Sequence, residues 1–441
     1  MGIVVCVGGY TLQYHVETFD IWTHLCGQSY HYTPLIRCRM DFSGHLDMGA
    51  LTHAVNLSLQ TIPLVGCYFD AESSRPHWVE RFSGEEMVTA VEAQTDAEEV
   101  VARCMSADRD CAAPAPSFHL TVVKKSSGDT LVAIISHIVC DGAGFKRYLY
   151  LLSELYTKLQ AGETPLVPAF DARGTRPLFA GMDFREKMKI WRAGMGSYIA
   201  HNQSQLGVDF NVGENETFME KRTLSREAFS ALQAFSKARG ATVNDGLMAL
   251  FARAFCRNTG TNHILLPSTM DLRKFIPPGV TCGFSNYSSG CMCYISVEPD
   301  DSLSATLSSV SEQMRAYKSG NTILKSVLVW NLVARLIPYP CLKRIYSKIV
   351  KQPIISYSNL GILDADKLRF GALSPEDAYL TPAIKPRPYL QLNASTYDGR
   401  CTLSCNLYGS RADGEFACRL LDNMYQETAA LVSSSLPSAD Q

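Results

Sequence analysis

Residues 136–142 read Ser-His-Ile-Val-Cys-Asp-Gly, and they combine residue types at a spacing that acid–base chemistry can use. Before them, residues 131–135 form an apolar run typical of a buried strand, and after them residues 143–160 have the pattern of an amphipathic helix. The sequence therefore predicts that a strand delivers His137 to a strand-to-helix turn. Because an imidazole titrates near neutral pH, a histidine held at such a strand end is a candidate general base.

The same segment contains residues that other kinds of chemistry could use. Gly142 and Gly144 follow a strand and open a helix, as in a dinucleotide-binding loop, but Arg147 occupies the third glycine position. Cys140 lies three residues after His137, and an odd offset along a strand places two side chains on opposite faces, so we interpret Cys140 as a packed thiol. No G-x-S-x-G segment supports a serine hydrolase. The competing interpretation of His137 is a core histidine with no catalytic role.

Composition narrows the class of protein. The chain has 441 residues, of which 46% are hydrophobic, and this length predicts two or three domains with a large core. A net charge of −2 gives no indication of a nucleic-acid partner. No long apolar stretch predicts a transmembrane helix, and the first residues lack the cations of a secretory signal. The 15 cysteines contain no C-x-x-C pair, which favours reduced thiols in a cytoplasmic protein without a metal site.

The first part of the chain has the pattern of an α/β lobe. Alternating residues predict a strand at 36–42, helical spacing predicts a helix at 46–60, and a β-like run follows at 62–69. A hairpin is predicted from 118–123 and 131–139, with Gly128 in its turn. A segment rich in proline and glycine at 161–180 is the best linker candidate. We therefore predict an N-terminal lobe at 1–175 and a C-terminal lobe at 176–441.

The second part of the chain repeats this mixture of helices and strands. Ser225 caps a predicted helix, and the capping-box pair Thr242 and Asp245 begins another. A strand is predicted at 264–273, and Asp398-Gly399 joins two alternating runs in the strongest hairpin signal of the chain. Each lobe is therefore expected to contain a mixed sheet flanked by helices.

Residues 326–351 combine an apolar run with a basic end. Three interpretations are open for this segment: a helix on a membrane surface, a buried helix pair with a solvated basic face, or a lining for an apolar acyl chain. Pro338 and Pro340 interrupt the segment, and charge runs usually mark exposed faces. We therefore favour the buried helix pair.

His137, Asp141 and Gly142 match the His-x-x-x-Asp-Gly motif, and through it the chain resembles the chloramphenicol-acetyltransferase-like acyltransferases. This superfamily includes nonribosomal-peptide condensation domains, plant BAHD acyltransferases, alcohol acetyltransferases and polyketide-associated acyltransferases. The resemblance extends over most of the chain in the expected order. The other segments that carry it are 44–69 with Pro63-Leu64, Thr242-Val243-Asn244-Asp245, Asp271-Leu272-Arg273, 282–289 with Gly283 and Asn286, and Ser358-Asn359-Leu360-Gly361.

The resemblance implies two lobes with a tunnel between them and His137 at its centre. His137 would take a proton from an acceptor hydroxyl or amine as the acceptor attacks a thioester, and no covalent acyl-enzyme is required. The co-substrate would be acyl-coenzyme A or a phosphopantetheine thioester, with no bound cofactor and no metal. The chain would act as a monomer on a small-molecule donor and acceptor, with an acyl-carrier protein as an alternative donor partner.

The resemblance also implies roles for the other motif residues. Asp141 would pair with Arg273 and hold the motif turn, while Gly142 would permit a conformation or a close approach that a side chain would block. Ser358 and Asn359 are candidates for stabilising the oxyanion, and Asn286 is a further oxyanion or substrate-binding candidate. Two additional residues, Asn393 and Tyr397, are candidates for the tunnel lining.

The sequence departs from parts of the superfamily. Ser136 stands where peptide-condensing members usually carry a second histidine, and the plant-type Asp-Phe-Gly-Trp-Gly motif is absent. Both departures favour a free-standing acyltransferase that acts on small molecules. Two alternatives stay open: an amide-forming condensation enzyme acting on carrier-bound substrates, and a non-catalytic scaffold that has kept the fold.

Overall fold

The computed structural model describes residues 3–4, 13–73, 75–80, 82–93, 96–107, 114–167, 173–192, 214–298, 300–321, 323–350 and 353–435. Residues 168–172 of the predicted linker lie outside these ranges, as does most of the N-terminal segment that lacks the cations of a secretory signal. No helix among the described residues is long and apolar enough to cross a membrane.

The strands follow the chain in this order: β1 (Ile3–Val4), β2 (Gln13–Tyr14), β3 (Leu35–Asp41), β4 (Cys67–Asp70), β5 (His77–Glu80), β6 (Val88–Glu92), β7 (Phe118–Lys125), β8 (Gly128–Ser136), β9 (Glu216–Leu224), β10 (His263–Asp271), β11 (Ser288–Ser296), β12 (Ile355–Leu363), β13 (Asp377–Thr381), β14 (Lys385–Pro386), β15 (Leu390–Tyr397) and β16 (Arg400–Gly409).

The α-helices are α1 (Thr18–Tyr30), α2 (Met48–Leu59), α3 (Gly84–Met87), α4 (Ala97–Ser106), α5 (Gly142–Gln160), α6 (Phe184–Arg192), α7 (Arg226–Lys237), α8 (Val243–Thr259), α9 (Leu303–Ser319), α10 (Leu324–Leu336), α11 (Tyr339–Ile349) and α12 (Arg411–Ser435). The predicted caps are present: the Ser225 side chain accepts from Ala228 N–H, and Thr242 and Asp245 form a capping box.

The N-terminal lobe is built on a five-stranded sheet in the order β13-β3-β8-β7-β6. β6 and β7 are parallel and the other pairs are antiparallel, so the sheet is mixed. The central strand β8 explains the apolar run before the motif, because both of its faces are covered. Leu131, Ala133 and Ile135 pack in the main core of the lobe, whereas Val132 and Ile134 pack in a second core with residues of α4.

The C-terminal lobe contains a seven-stranded mixed sheet, in which six strands follow the order β11-β10-β12-β15-β16-β14 and β9 also pairs with β16. The helices α7, α8, α9 and α12 contribute to a core on one face of this sheet. The architecture of two α/β lobes, each with a mixed sheet flanked by helices, is therefore confirmed. A small four-stranded sheet in the order β1-β2-β5-β4 was not predicted.

A single cut at residue 175 does not separate the two sheets. β13 belongs to the C-terminal part of the sequence, yet it pairs with β3 at the edge of the N-terminal sheet, with Asp377 opposite Asp41. The crossing strand covers backbone groups that β3 would otherwise expose as an edge. A second difference lies at 62–69, where Pro63–Gly66 forms a 3₁₀ turn before β4 begins.

Lys385 in β14 is buried without an ion pair to any described residue. Lys385 is only 6% exposed, and its Nζ lies 5.5 Å from the ring centre of Tyr32. Burial lowers the pKa of Lys385 to about 8 because the ammonium loses its hydration. The ordinary pKa of lysine is about 10.4, so the unfolded chain binds more protons than the folded chain between these values, and stability rises with pH there.

We expect Lys385→Met to raise the free energy of unfolding at pH 7 by about 2–3 kcal/mol, because the variant no longer buries an ammonium. The gain should shrink as the pH rises from about 8 toward about 10.5, where the wild-type lysine is neutral in both states. Urea unfolding of both proteins across this pH range measures the difference. A gain in the free energy of unfolding that does not change with pH would contradict the lowered pKa of Lys385.

Candidate active site

The turn that carries His137 is anchored by its backbone and by its apolar residues. β8 ends at Ser136, and the His137 N–H donates to the carbonyl of Pro34 at 2.6 Å. Ile138, Val139 and Cys140 are buried, so they tie the turn into the core of the N-terminal lobe. The His137 residue itself is half-buried at the end of the strand. The predicted delivery of a histidine to a strand-to-helix turn is present.

The hydrogen bonds of the His137 ring define which nitrogen carries the proton. Nδ1 lies 3.0 Å from the carbonyl oxygen of Cys140 and 3.1 Å from Oδ1 of Asn286. The Asn286 amide donates from Nδ2 to the carbonyls of His137 and Ile138, at 2.9 and 3.0 Å, which fixes its orientation. Nδ1 therefore faces two acceptors and must be the donor. Nε2 is left with its lone pair, as a general base requires.

Asp141 and Arg273 form the predicted ion pair. Arg273 Nη1 and Nη2 donate to the two carboxylate oxygens of Asp141 at 2.8 and 2.9 Å. Asp141 also accepts from the N–H groups of Gly144 and Tyr287, both at 2.8 Å, and it caps the N-terminus of α5. The carboxylate is therefore occupied by four donors. It does not form a triad with His137.

The charge state of Asp141 follows from these contacts. Burial by itself would raise the pKa of the carboxyl group, but the Arg273 guanidinium and the hydrogen bonds from Gly144 and Tyr287 outweigh it, and the pKa lies below its usual range. The pair is well shielded, since the Asp141 side chain is 6% exposed and that of Arg273 is 16% exposed. Asp141 is consequently a permanent carboxylate at neutral pH.

Gly142 lies at a close approach between the two lobes, and its backbone angles do not call for glycine. A Cβ atom built on Gly142 would lie 3.0 Å from Cδ2 of Leu360 in β12, so the leucine side chain would have to shift by a few tenths of an ångström. Its φ is not in the left-handed region. The glycine therefore lets β12 of the C-terminal lobe approach the motif turn of the N-terminal lobe.

A second buried ion pair supports the turn, and the sequence analysis missed it. Arg173 donates to both oxygens of Asp20 in α1, at 2.8 and 2.9 Å, and also to the carbonyls of Val139 and Phe284, at 2.8 and 2.7 Å. Because Arg173 lies in the proline- and glycine-rich segment, its composition indicated a linker. Arg173 directly precedes Gly174 in this segment, and its charge was the only feature of the sequence that could have indicated an ion pair.

Residues of β12 alternate between the two faces of the C-terminal sheet, and only one of these faces meets the motif turn. Ile355 and Tyr357 pack in the core shared with α8, so Ser356 and Ser358 point to the opposite face. Leu360 packs against the core of the N-terminal lobe. Ser358 therefore lies on the face of the C-terminal sheet that meets the N-terminal lobe.

This face carries polar groups with unused hydrogen-bonding capacity. Ser358 Oγ lies 3.0 Å from Oγ1 of Thr269, and Asn393 is aligned with Ser358 in the pairing of β12 and β15. Ser356 Oγ and Asn393 Oδ1 are buried and have no hydrogen-bond partner among the described residues. These two atoms on the same face as Ser358 therefore keep hydrogen-bonding capacity that no described residue uses. Ser356 was not singled out from the sequence.

Three sequence-based assignments need correction. Asn286 cannot donate to an oxyanion, because both hydrogens of its amide are used by the His137 and Ile138 carbonyls. Asn359 lies on the α8 side of β12, where its Nδ2 donates to Asn244 and its Oδ1 accepts from the Gly361 N–H. Tyr397 is buried in the N-terminal core, and its hydroxyl donates to the Pro375 carbonyl.

Cys140 is a packed thiol, as the sequence indicates. Cys140 is fully buried, and burial raises the pKa of its thiol well above the ordinary value, so it is held protonated. Within the ranges that the structure describes, no group of three or more His, Cys, Asp or Glu side chains could hold a metal ion. A surface cleft of about 350 Å³ is lined by Arg273 of the Asp141–Arg273 pair, by Arg147 and by residues 276–282.

Comparisons with known proteins support the fold. No protein-family model matches the chain. It is 24% identical over 340 residues to bacitracin synthase 3 of Bacillus licheniformis, and the alignment covers 72% of this chain but only 5% of that much longer protein. The first condensation domain of the CDA synthetase superposes with a TM-score of 0.66 at 15% identity, covering 97% of this chain and 98% of that one.

An acetyltransferase has the same fold. The trichothecene 15-O-acetyltransferase of Fusarium sporotrichioides superposes with a TM-score of 0.67 at 13% identity, covering 96% of this chain and 97% of that one. The chain therefore has the fold shared by condensation domains and chloramphenicol-acetyltransferase-like acyltransferases, as the motif resemblance implied.

We expect Asp141→Asn to lower the free energy of unfolding at pH 7 by about 3–5 kcal/mol, because it leaves the Arg273 guanidinium buried without its carboxylate. The folded pKa of Asp141 is depressed, so its stabilising effect is present above the unfolded pKa of about 3.9 and is lost as the pH falls through the folded value. The difference between wild type and variant should therefore narrow on acidification. Urea unfolding at several pH values measures it.

A matched control is available on the surface. Arg411→Gln removes an exposed pair with Glu415, whose side chains are 85% and 57% exposed. This change should cost no more than about 1 kcal/mol at any pH. Equal losses in the free energy of unfolding of the two variants would show that the Asp141–Arg273 pair does not stabilise the fold more than an exposed ion pair does.

Proposed function

Because the chain has the fold of condensation domains and of an O-acetyltransferase, we propose that it transfers an acyl group from a thioester to a hydroxyl or amine. The observation that carries this proposal is the His137 ring. Its Nδ1 is held by the Cys140 carbonyl and by Asn286, so Nε2 is available as a base. A general base needs the lone pair that this arrangement leaves on Nε2, whereas a scaffold without activity does not.

The proposed reaction has two proton transfers and no covalent enzyme intermediate. The acceptor oxygen or nitrogen attacks the thioester carbonyl while its proton passes to Nε2 of His137. The C–O or C–N bond forms first, and the carbonyl oxygen becomes an oxyanion. The C–S bond then breaks as the oxyanion collapses, and the thiolate leaving group takes the proton from the imidazolium. A positioned base of this kind contributes about 10²–10⁴-fold to the rate.

Ser358 is the remaining candidate for stabilising the oxyanion. It lies on the face of the C-terminal sheet that meets the motif turn, and its hydroxyl contacts Thr269 at 3.0 Å. If the Thr269 hydroxyl donates to Ser358 Oγ, the Ser358 proton is free to donate to the developing negative charge. Asn286 has a different role in the proposal, as a positioning residue that holds Nδ1.

The donor in this proposal is acyl-coenzyme A or a phosphopantetheine thioester, which reaches His137 through a tunnel between the lobes. The alternative is amide formation on carrier-bound substrates, which the similarity to part of bacitracin synthase 3 favours. Ser136 in place of a second histidine favours the small-molecule acyltransferase instead. The proposed location is cytoplasmic, and the proposed active form is a monomer.

The test is acceptor-dependent release of free thiol from a panel of acyl-coenzyme A thioesters with simple alcohols and amines. We expect His137→Ala to lose about 10²–10⁴-fold in turnover, because the proton of the acceptor then has no base. His53→Ala, which changes an exposed histidine on α2, should retain wild-type turnover. Equal release by wild type and His137→Ala would contradict the proposal for coenzyme A donors. Carrier-bound thioesters would then be assayed in the same way, and failure there would favour the scaffold.

The role of Ser358 is tested by comparing variants of Ser358 and of Asn359, its neighbour in β12. We expect Ser358→Ala to lower kcat by about 10²-fold with little change in KM, because an oxyanion donor acts mainly in the transition state. Asn359→Ala alters the α8 side of the same strand and should leave kcat within a fewfold of wild type. Steady-state kinetics of both variants provide the comparison. Similar losses in both would indicate a structural role for this part of β12.

A further inference from the structure

One part of the chain has an extreme charge imbalance. The chain as a whole has 41 basic and 43 acidic residues, yet residues 313–363 contain no Asp or Glu. The segment includes α10 and α11. Its eight cations are Arg315, Lys318, Lys325, Arg335, Lys343, Arg344, Lys348 and Lys351.

α10 and α11 both use one face to pack against α1. Trp330 of α10 contacts Trp22 of α1 with ring centres 4.1 Å apart, and Leu342 and Tyr346 of α11 are buried in a cluster with Leu25 of α1. This is the buried helix pair predicted from the sequence. The opposite faces of both helices are consequently turned outward.

The outward faces combine cations with exposed apolar side chains. On α10, Leu332, Arg335 and Leu336 have i, i+3, i+4 spacing, and the two leucines are 43% and 70% exposed. On α11, the exposed side chains include three cations within two turns. We call this surface the basic face, and it consists of Leu332, Arg335, Leu336, Lys343, Arg344 and Lys348.

Four cations of the basic face have no ion-pair partner in the described part of the chain. Arg335, Lys343, Arg344 and Lys348 form no ion pair with any other described residue, although ion pairs are frequent elsewhere in the protein. Four unpaired cations on adjoining helices repel one another, and an anionic partner relieves that repulsion.

The neighbouring helix α6 also exposes large apolar side chains. α6 packs against α10, and its Phe184 and Trp191 are 77% and 37% exposed. Bulky apolar side chains that project among cations are typical of helices that lie in a membrane interface, where Phe, Trp and Leu enter the headgroup layer. Large apolar side chains exposed near one another often mark an interaction site.

We propose that the basic face docks the protein on an anionic lipid surface. The cations attract the negative headgroups, and Leu332 and Leu336, together with Phe184 and Trp191 of the neighbouring helix α6, insert into the interface. A fluid lipid surface accommodates side chains that project separately from three helices, whereas a folded protein partner would need a pocket for each of them. This docking is independent of the acyl-transfer chemistry.

The experiment is flotation of the full chain with phosphatidylcholine vesicles that contain or lack phosphatidylserine, at low and at high salt. We expect binding to the vesicles with phosphatidylserine, little binding to the neutral vesicles, and weaker binding at high salt. A variant with Lys343→Gln, Arg344→Gln and Lys348→Gln should lose about a hundredfold in partition coefficient, at about a fivefold loss for each cation. Leu336→Asn should weaken binding while leaving the salt dependence in place.

The matched control neutralises three exposed cations on other helices, by Lys237→Gln, Arg411→Gln and Arg419→Gln. It should bind as wild type does, and circular dichroism should show the wild-type fold in every variant. The proposal is overturned if wild type does not bind the anionic vesicles, or if the triple variant and the control bind equally. It is also overturned if wild type binds an acidic carrier protein but does not bind the vesicles.

Discussion

The buried ion pair between Asp141 and Arg273 is the interaction on which the candidate active site depends. Asp141 caps α5 in the N-terminal lobe, while Arg273 follows β10 in the C-terminal lobe. The cost of burying both charges is offset only because the contact is bidentate and two N–H groups complete the carboxylate. The pair therefore holds the lobes together at the motif turn.

The same constraint explains how the base is built from both lobes. Arg273 also donates to the carbonyl of Ser285, and the next two residues, Asn286 and Tyr287, contact the ring of His137 and the carboxylate of Asp141. One short segment of the C-terminal lobe thus serves both the ion pair and the ring. Separation of the lobes would remove the acceptor that Asn286 offers to Nδ1. The orientation of the His137 ring is in this sense a property of the interface between the lobes.

The sequence predicted what local interactions determine. The apolar run of β8, the turn at His137 and the caps at Ser225 and Thr242 depend on near neighbours, and all of them are present. The pairing of Asp141 with Arg273 was available only through the resemblance, since 132 positions separate the two residues. The contact of Arg173 with Asp20, the placement of β13 in the other sheet and the orientation of Asn359 depend on long-range packing and strand faces, which residue types do not reveal.

The most direct test of the account is a crystal structure with a stable thioester analogue in which a methylene group replaces the sulfur. We expect the carbonyl group of the analogue to lie between Nε2 of His137 and the hydroxyl of Ser358. An acceptor atom or ordered water should lie within about 2.6–3.2 Å of Nε2. An analogue bound away from Nε2, or a ring whose Nδ1 rather than Nε2 faces the carbonyl, would contradict the assignment of His137 as the general base.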